Sequence, residues 1–255
     1  MNILFALPAA LLGIVLLLLT LVAAEVGFRI GRRATEHVDH AVGVVQASVL
    51  GLMAFLLGLS FSFAAGRYET RHDLEQKEAN CLGTAYVRTQ LIVNPLGARI
   101  RALLPVYTQA RIDCYLAGVV NQDAFQVAKA KCDDLQNQIW NLDIELFKSD
   151  KSDRRTDLLT QSLNNSFDAA GDLEEARRHH VPSMMFNLLF LAVLISGGFV
   201  GYGFGRTSRR VIAVWILFAA LTAITISVIL DLDQPERGMI KNTHEPLRIL
   251  HSQMG

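Results

Sequence analysis

The chain has 255 residues, 24 Lys plus Arg against 24 Asp plus Glu, and is 51% hydrophobic but only 19% charged. Its mean hydropathy is positive, too apolar for an ordinary water-soluble domain, where about a quarter of residues are charged. Balanced charge leaves no overall field to attract nucleic acid, so no nucleic-acid partner is expected.

The apolar residues are clumped at 3–24, 41–66, 184–205 and 211–230. A bilayer core about 30 Å thick takes about 20 helical residues, so each clump is read as a membrane-spanning helix. The first, MNILFALPAALLGIVLLLLTLVAA, has no Lys or Arg at its start and a longer apolar run than a signal peptide needs. It is expected to stay in the membrane. EVGFRIGRR follows, with Glu25 and Arg29 at the i, i+4 spacing of a helical ion pair at the membrane edge.

The second clump runs straight into RYETRHDLEQKE with no Pro between. That stretch alternates charge sign, which predicts a solvated helix face. Three further helices are expected. One spans 95–118, with Ile100, Leu103, Tyr107, Ala110, Cys114 and Ala117 as its stripe. Another spans 122–147, with Phe125, Ala128, Cys132, Leu135, Ile139, Leu142 and Leu146. The third spans 152–179, with Leu159, Leu163, Phe167, Ala170 and Leu173. Apolar residues at steps of three and four bury one face of each. Asn94 before Pro95 reads as a helix start, SDKSD at 149–153 as a polar turn, and Pro105 as a kink or split. Pro182 suits the start of the third span.

GFVGYGFGRTSRR, at 198–210, is Gly-rich but lacks the Lys and strand context of a phosphate loop; close helix packing is the expectation. ILDLDQPERG follows the fourth span. Asp at a helix C-terminus opposes the macrodipole, so Asp231 and Asp233 are expected to pair with Arg237 or an Arg of the middle region, or to ring a pore mouth.

The fold class expected is all-α: four transmembrane helices with a helical-bundle soluble domain inserted between spans two and three. The divisions are 1–66, 67–182, 183–230 and a tail, 231–255. Cys81, Cys114 and Cys132 are odd in number and lack Cys-x-x-Cys spacing, which gives no support for a disulfide framework or zinc site; free thiols on helices are expected. His179 and His180 diverge around a helix, unlike metal pairs at i, i+4. Without a catalytic constellation, the chain is expected to be no enzyme and to carry no metal or cofactor. The short loops with Arg29, Arg32, Arg33 and Arg206, Arg209, Arg210 would lie in the cytoplasm by the positive-inside rule, putting the middle domain outside.

Within span two, Gly51, Gly58, Ser62 and Gly66 lie close to one helix face. Small residues at such spacing let membrane helices approach closely, within one chain or between copies. Phe55, Leu59 and Phe63 follow at i, i+4 and i+8. In a ring of subunits they would form apolar collars able to gate by dewetting.

FLLGL at 55–59, seven residues, then RY resembles the second transmembrane helix of bestrophin anion channels. RYETRHDLEQKEANCLGTAY, with LDLDQPERG after the last span, is still more similar to a bacterial bestrophin-like family. The second likeness covers nearly the whole chain; the first is strong only over 51–67. The resemblance implies a homo-oligomer of five subunits in the lipid bilayer of the bacterial inner membrane, with span two lining a pore for small ions. It puts Phe55 and Leu59 on gate positions, Gly51 one turn earlier and Arg67 on the family's arginine. Glu69 stands where those channels have a second aromatic, and Gly51 where animal channels have a bulky apolar residue. Asp231 and Asp233 are too faint an echo of the animal calcium clasp to imply calcium. The resemblance also points to the opposite orientation from the loop charges. The expectation is thus an oligomeric ion channel passing anions; Arg67 argues for anions and the Asp pair for cations. The alternative is a membrane sensor or scaffold whose helical soluble domain binds a ligand or partner.

Overall fold

The computed structural model describes residues 9–34, 39–120, 122–149, 153–179, 181–207, 209–233 and 244–254. The helices in chain order are α1 (Ala9–Arg33), α2 (Asp39–Thr89), α3 (Pro95–Val120), α4 (Gln122–Ser149), α5 (Arg154–Arg178), α6 (Ser183–Arg206), α7 (Ile212–Asp233) and α8 (Glu245–Met254). No strand occurs among the described residues. Four stretches, in α1, α2, α6 and α7, are long and apolar enough to cross a membrane. The helical insertion lies between the second and third. The chain divides into two compact units, Met1–Tyr68 with His180–Ile240 and Glu69–His179 with Lys241–Gly255.

In the first unit α1 packs against α6 and α7. Glycines set how closely: a Cβ on Gly27 would stand 1.9 Å from the Gly198 carbonyl oxygen, and one on Gly201 1.8 Å from that of Ala24. Gly31 against Tyr202 and Gly205 against Phe28 repeat the contact at 2.3 Å. Only backbone fits there, as in small-residue packing of membrane helices. The Gly-rich run at 198–210 therefore serves close packing, as its sequence suggested. Three hydroxyls in these helices satisfy themselves locally: Thr20, Thr222 and Ser227 donate to the carbonyls of Leu16, Phe218 and Ala223, as a hydrocarbon solvent favours.

In the second unit the remainder of α2 gathers α3, α4, α5 and α8 around an apolar core that includes Leu82, Ile100, Leu104, Tyr107, Ile139, Leu146, Leu159 and Leu163. Tyr107 meets Phe167 edge-on at 5.7 Å between centroids. Asn94 starts α3, its Oδ1 accepting from the Leu96 amide at 2.9 Å. Asp153 caps α5 by accepting from Arg155; residues 150–152 of the expected turn lie outside the described residues.

Of the kink or split expected at Pro105, the split does not occur: α3 runs through it from Pro95 to Val120. The stretch 231–255 is not a plain tail: Asp231–Asp233 finish α7, and Glu245–Met254 form a helix belonging to the second unit. Leu247 is fully buried there, and the Tyr86 hydroxyl donates to the Met254 carbonyl at 2.8 Å.

Candidate pore-lining helix

α2 differs from the other apolar helices in how little of it is covered. Only 6% of its most apolar stretch is buried, against 39%, 39% and 33% for the other three. What is covered forms one stripe. Met53, Ser60 and Ala64 are buried, with Leu57 and Tyr68 half-buried on the same side. Met53, Ala64, Leu57 and Tyr68 belong to a cluster with Leu12 and Leu16 of α1, Phe186 and Leu189 of α6, and Ile226 and Ile229 of α7.

The opposite side carries Gly51, Phe55, Gly58, Ser62 and Gly66, all exposed. At 3.6 residues per turn they fall within an arc of about 80°. A Cβ built on Gly51, Gly58 or Gly66 meets nothing within 4 Å, unlike the glycines of α1 and α6. Among the described residues, therefore, nothing in the chain crowds these three glycines. Phe55 is 63% exposed in their midst. Steps of four residues advance about 40° around a helix, so Leu59, half-buried, and Phe63, exposed, wind progressively away from Phe55. Phe55 thus shares its face with the glycines.

Of the charged candidates, Arg67 is half-buried. Asp231 and Asp233 are buried at the end of α7, and Asp233 Oδ1 accepts from the Val181 amide at 2.9 Å. That bond fastens the last turn of α7 to the segment leading into α6. Arg237 lies outside the described residues.

A cluster that sequence reasoning missed sits in the second unit. RYETRHDLEQKE is not solvated throughout: Arg71, Glu75 and Glu78 are buried. Arg111 of α3 donates from Nε to Glu78 Oε1 at 2.6 Å, and from Nη2 to Tyr115 Oη and the Ala170 carbonyl. Tyr115 donates to Glu78 Oε2 at 2.5 Å. The Arg111 and Arg177 guanidinia lie against the Tyr115 ring, and His244 stacks on it at 5.1 Å. Burial pushes the Tyr115 phenol well up, and the Glu78 carboxylate adds to this. Burial disfavours the Arg111 cation, but Tyr115 and Glu78 outweigh it. The spacing of Arg71, Glu75 and Glu78, four then three residues, was the available signal: charges on a buried stripe rather than around a helix.

No group of His, Cys, Asp and Glu among the described residues could hold a metal ion. All three cysteines are free, Cys114 and Cys132 buried and Cys81 half-buried. Four membrane-length apolar helices and a helical insertion define a multi-pass integral membrane protein. Residues 12–247 match the model of the bestrophin-like domain, and the chain belongs to that family. It is also similar to a bacterial bestrophin homolog from Klebsiella pneumoniae. Two variants of that protein align at TM-score 0.73, with 12% and 13% identity, each covering 94% of this chain and 97% of theirs. A third structure of the homolog aligns at TM-score 0.68 and 14% identity, covering 94% and 96%. At such identities the likeness is one of fold. No curated protein matches.

Proposed function

We propose that the protein is an oligomeric ion channel of the bestrophin fold whose pore is lined by α2. The observation that carries this reading is the uncovered α2 face, with Gly51, Phe55, Gly58, Ser62 and Gly66 on one side and the packed stripe opposite. One chain cannot enclose an axis with a single face, but copies arranged about it can, and small residues let them approach. Phe55 and Leu59 then form the apolar constriction, with Phe63 flanking it, where dewetting would gate flow. The family resemblance points to five copies in a bacterial inner membrane.

Anions are the permeant class the resemblance implies, and Arg67 is the nearest cation beyond the apolar stretch. A cation-selective pore is the second reading, favoured by the exposed side chains of Glu69 and Asp73. Reversal potentials of the purified protein in planar bilayers under a salt gradient separate the two by sign. Phe55→Ala with Leu59→Ala should raise open probability. No conductance from wild type or the double variant would sink the channel reading.

The sensor alternative has one observation in its favour, a cleft of about 1000 Å³ in the second unit lined by His72, Gln76, Asn80, Arg88, Pro246 and Ile249 among others. A membrane-impermeant thiol reagent on intact cells discriminates. Cys81 is the handle, because Cys114 and Cys132 are buried. Labelling from outside would favour the sensor.

A further inference from the structure

We infer that one end of the membrane unit, formed by the C-terminal turns of α1 and α6 and the start of α7, is a binding surface for anionic phospholipid headgroups. The glycine contacts bring these ends together: Gly31 lies against the Tyr202 backbone, and Gly205 against that of Phe28 and Arg32. With the helix axes held so close, their arginines emerge side by side. Arg29, Arg32, Arg33 and Arg209 are exposed; Arg206 and Arg210 complete the group. Arg206 Nη1 donates to the Ala34 carbonyl at 2.5 Å, joining α6 to the end of α1. Arg210 lies over the Phe28 ring at 4.8 Å, joining α7 to α1.

Among described residues 25–34 and 202–212 these six arginines face a single acid, Glu25. Glu25 Oε1 accepts from both Arg29, at 2.8 Å, and Arg210, at 2.9 Å, so one carboxylate serves two guanidinia. The C-termini of α1 and α6 together offset about one further charge. Even with Glu36 and Asp39, which follow α1 in the sequence, set against them, positive charge remains in excess.

The surroundings specify the anion. Val26 and Ile30 of α1 and Val211 and Ile212 at the start of α7 are exposed apolar side chains beside the arginines. A free phosphate would leave them in water, whereas a phospholipid covers them with its acyl chains while its phosphate meets the guanidinium forks. Guanidinium matches phosphate oxygens two at a time, and each basic residue at an anionic membrane surface contributes about 1 kcal/mol. The surface is independent of any pore, since it uses α1, α6 and the start of α7 and no residue of α2.

The test is native mass spectrometry of the full chain in uncharged detergent, exposed to an equimolar mixture of phosphatidylglycerol and phosphatidylcholine. Phosphatidylglycerol should be retained at least about tenfold over phosphatidylcholine. Arg32→Ala, Arg33→Ala and Arg209→Ala together should abolish the preference, while Lys131→Ala with Arg154→Ala, exposed cations of the second unit, should leave it intact. Should the triple alanine variant fail to fold, raising the salt on wild type provides the same reading: the preference must shrink. Equal retention of the two lipids would overturn the inference. So would a preference indifferent to salt and to the triple variant, or displacement of the lipid by excess inorganic phosphate.

Discussion

His244 Nδ1 lies 2.9 Å from Glu75 Oε1, and both side chains are buried. His244 is the residue before α8 and has φ of 49°, a left-handed conformation rare for a side chain of this size. This contact, with the stack on Tyr115, fixes where α8 begins against α2 and α3 of its unit. Glu75→Ala should loosen α8 by roughly 1–3 kcal/mol, the usual cost of removing a buried partner. Hydrogen exchange should show amides of 245–254 losing protection while those of α4 keep theirs. Equal loss in both helices would mean that the contact does not act locally.

The Arg111–Glu78 pair is the more costly one to break. Its partners are 7% and 0% exposed, and both Glu78 carboxylate oxygens accept a hydrogen bond, one from Arg111 and one from Tyr115. Removing one partner strands the other, at roughly 3–5 kcal/mol. Arg111→Ala should therefore unfold the second unit at markedly lower denaturant. Replacing Arg111 and Glu78 together, by Met and Leu, should recover much of the loss. A double variant no better than Arg111→Ala would show that packing, not stranded charge, is responsible.

Asp143 ties stability to pH. It is buried on α4, with Oδ1 finding no hydrogen-bond partner among the described residues, and burial pushes its carboxyl up from 3.8 to about 6, the Thr160 hydroxyl opposing. Between those values the folded state binds a proton that the unfolded chain does not. The contribution of this group to stability is thus fully present below about 3.8 and is lost as pH rises through about 6, by roughly 3 kcal/mol at most. Asp143→Asn should flatten this dependence in the exchange protection of α4 and α5. A variant as pH-sensitive as wild type would place the titration elsewhere.

The glycines divide into two groups with opposite expectations. Gly201→Ala puts a methyl 1.8 Å from the Ala24 carbonyl oxygen and should cost about 1–3 kcal/mol or more by overpacking. Gly58→Ala meets nothing within 4 Å among the described residues and should leave the thermal stability of the isolated chain unchanged. In the oligomeric reading it weakens assembly instead. Thermal unfolding and gel filtration of the two variants separate these outcomes; equal destabilisation would contradict the division.

Much of this was legible in the sequence because the signals were periodic or compositional. Four apolar runs matched bilayer thickness, and the stripes of Ile100–Cys114 and Leu159–Leu173 marked their helices. Three things were not legible, for physical reasons. Arg71, Glu75 and Glu78 read as solvated because charge alternation is the same string whether its partners are water or Arg111 and Tyr115. α8 was missed because ten residues are too few for a strong pattern, and its burial depends on Tyr86 and Tyr115, distant in sequence. The glycines of α2, seven or eight residues apart, and Gly197, Gly201 and Gly205 of α6, four apart, both read as close-packing positions, yet the second set meets α1 backbone and the first nothing among the described residues; only neighbours distinguish them.

The mass of the purified chain in mild detergent, by light scattering with the detergent contribution subtracted, tests the central claim most directly. An uncovered small-residue face on α2 that lines an axis requires a closed oligomer, so the protein mass should be a fixed multiple of 28.2 kDa, five by family resemblance, and Gly58→Ala should lower it. A monomer at 28.2 kDa under conditions that keep the fold intact would contradict it.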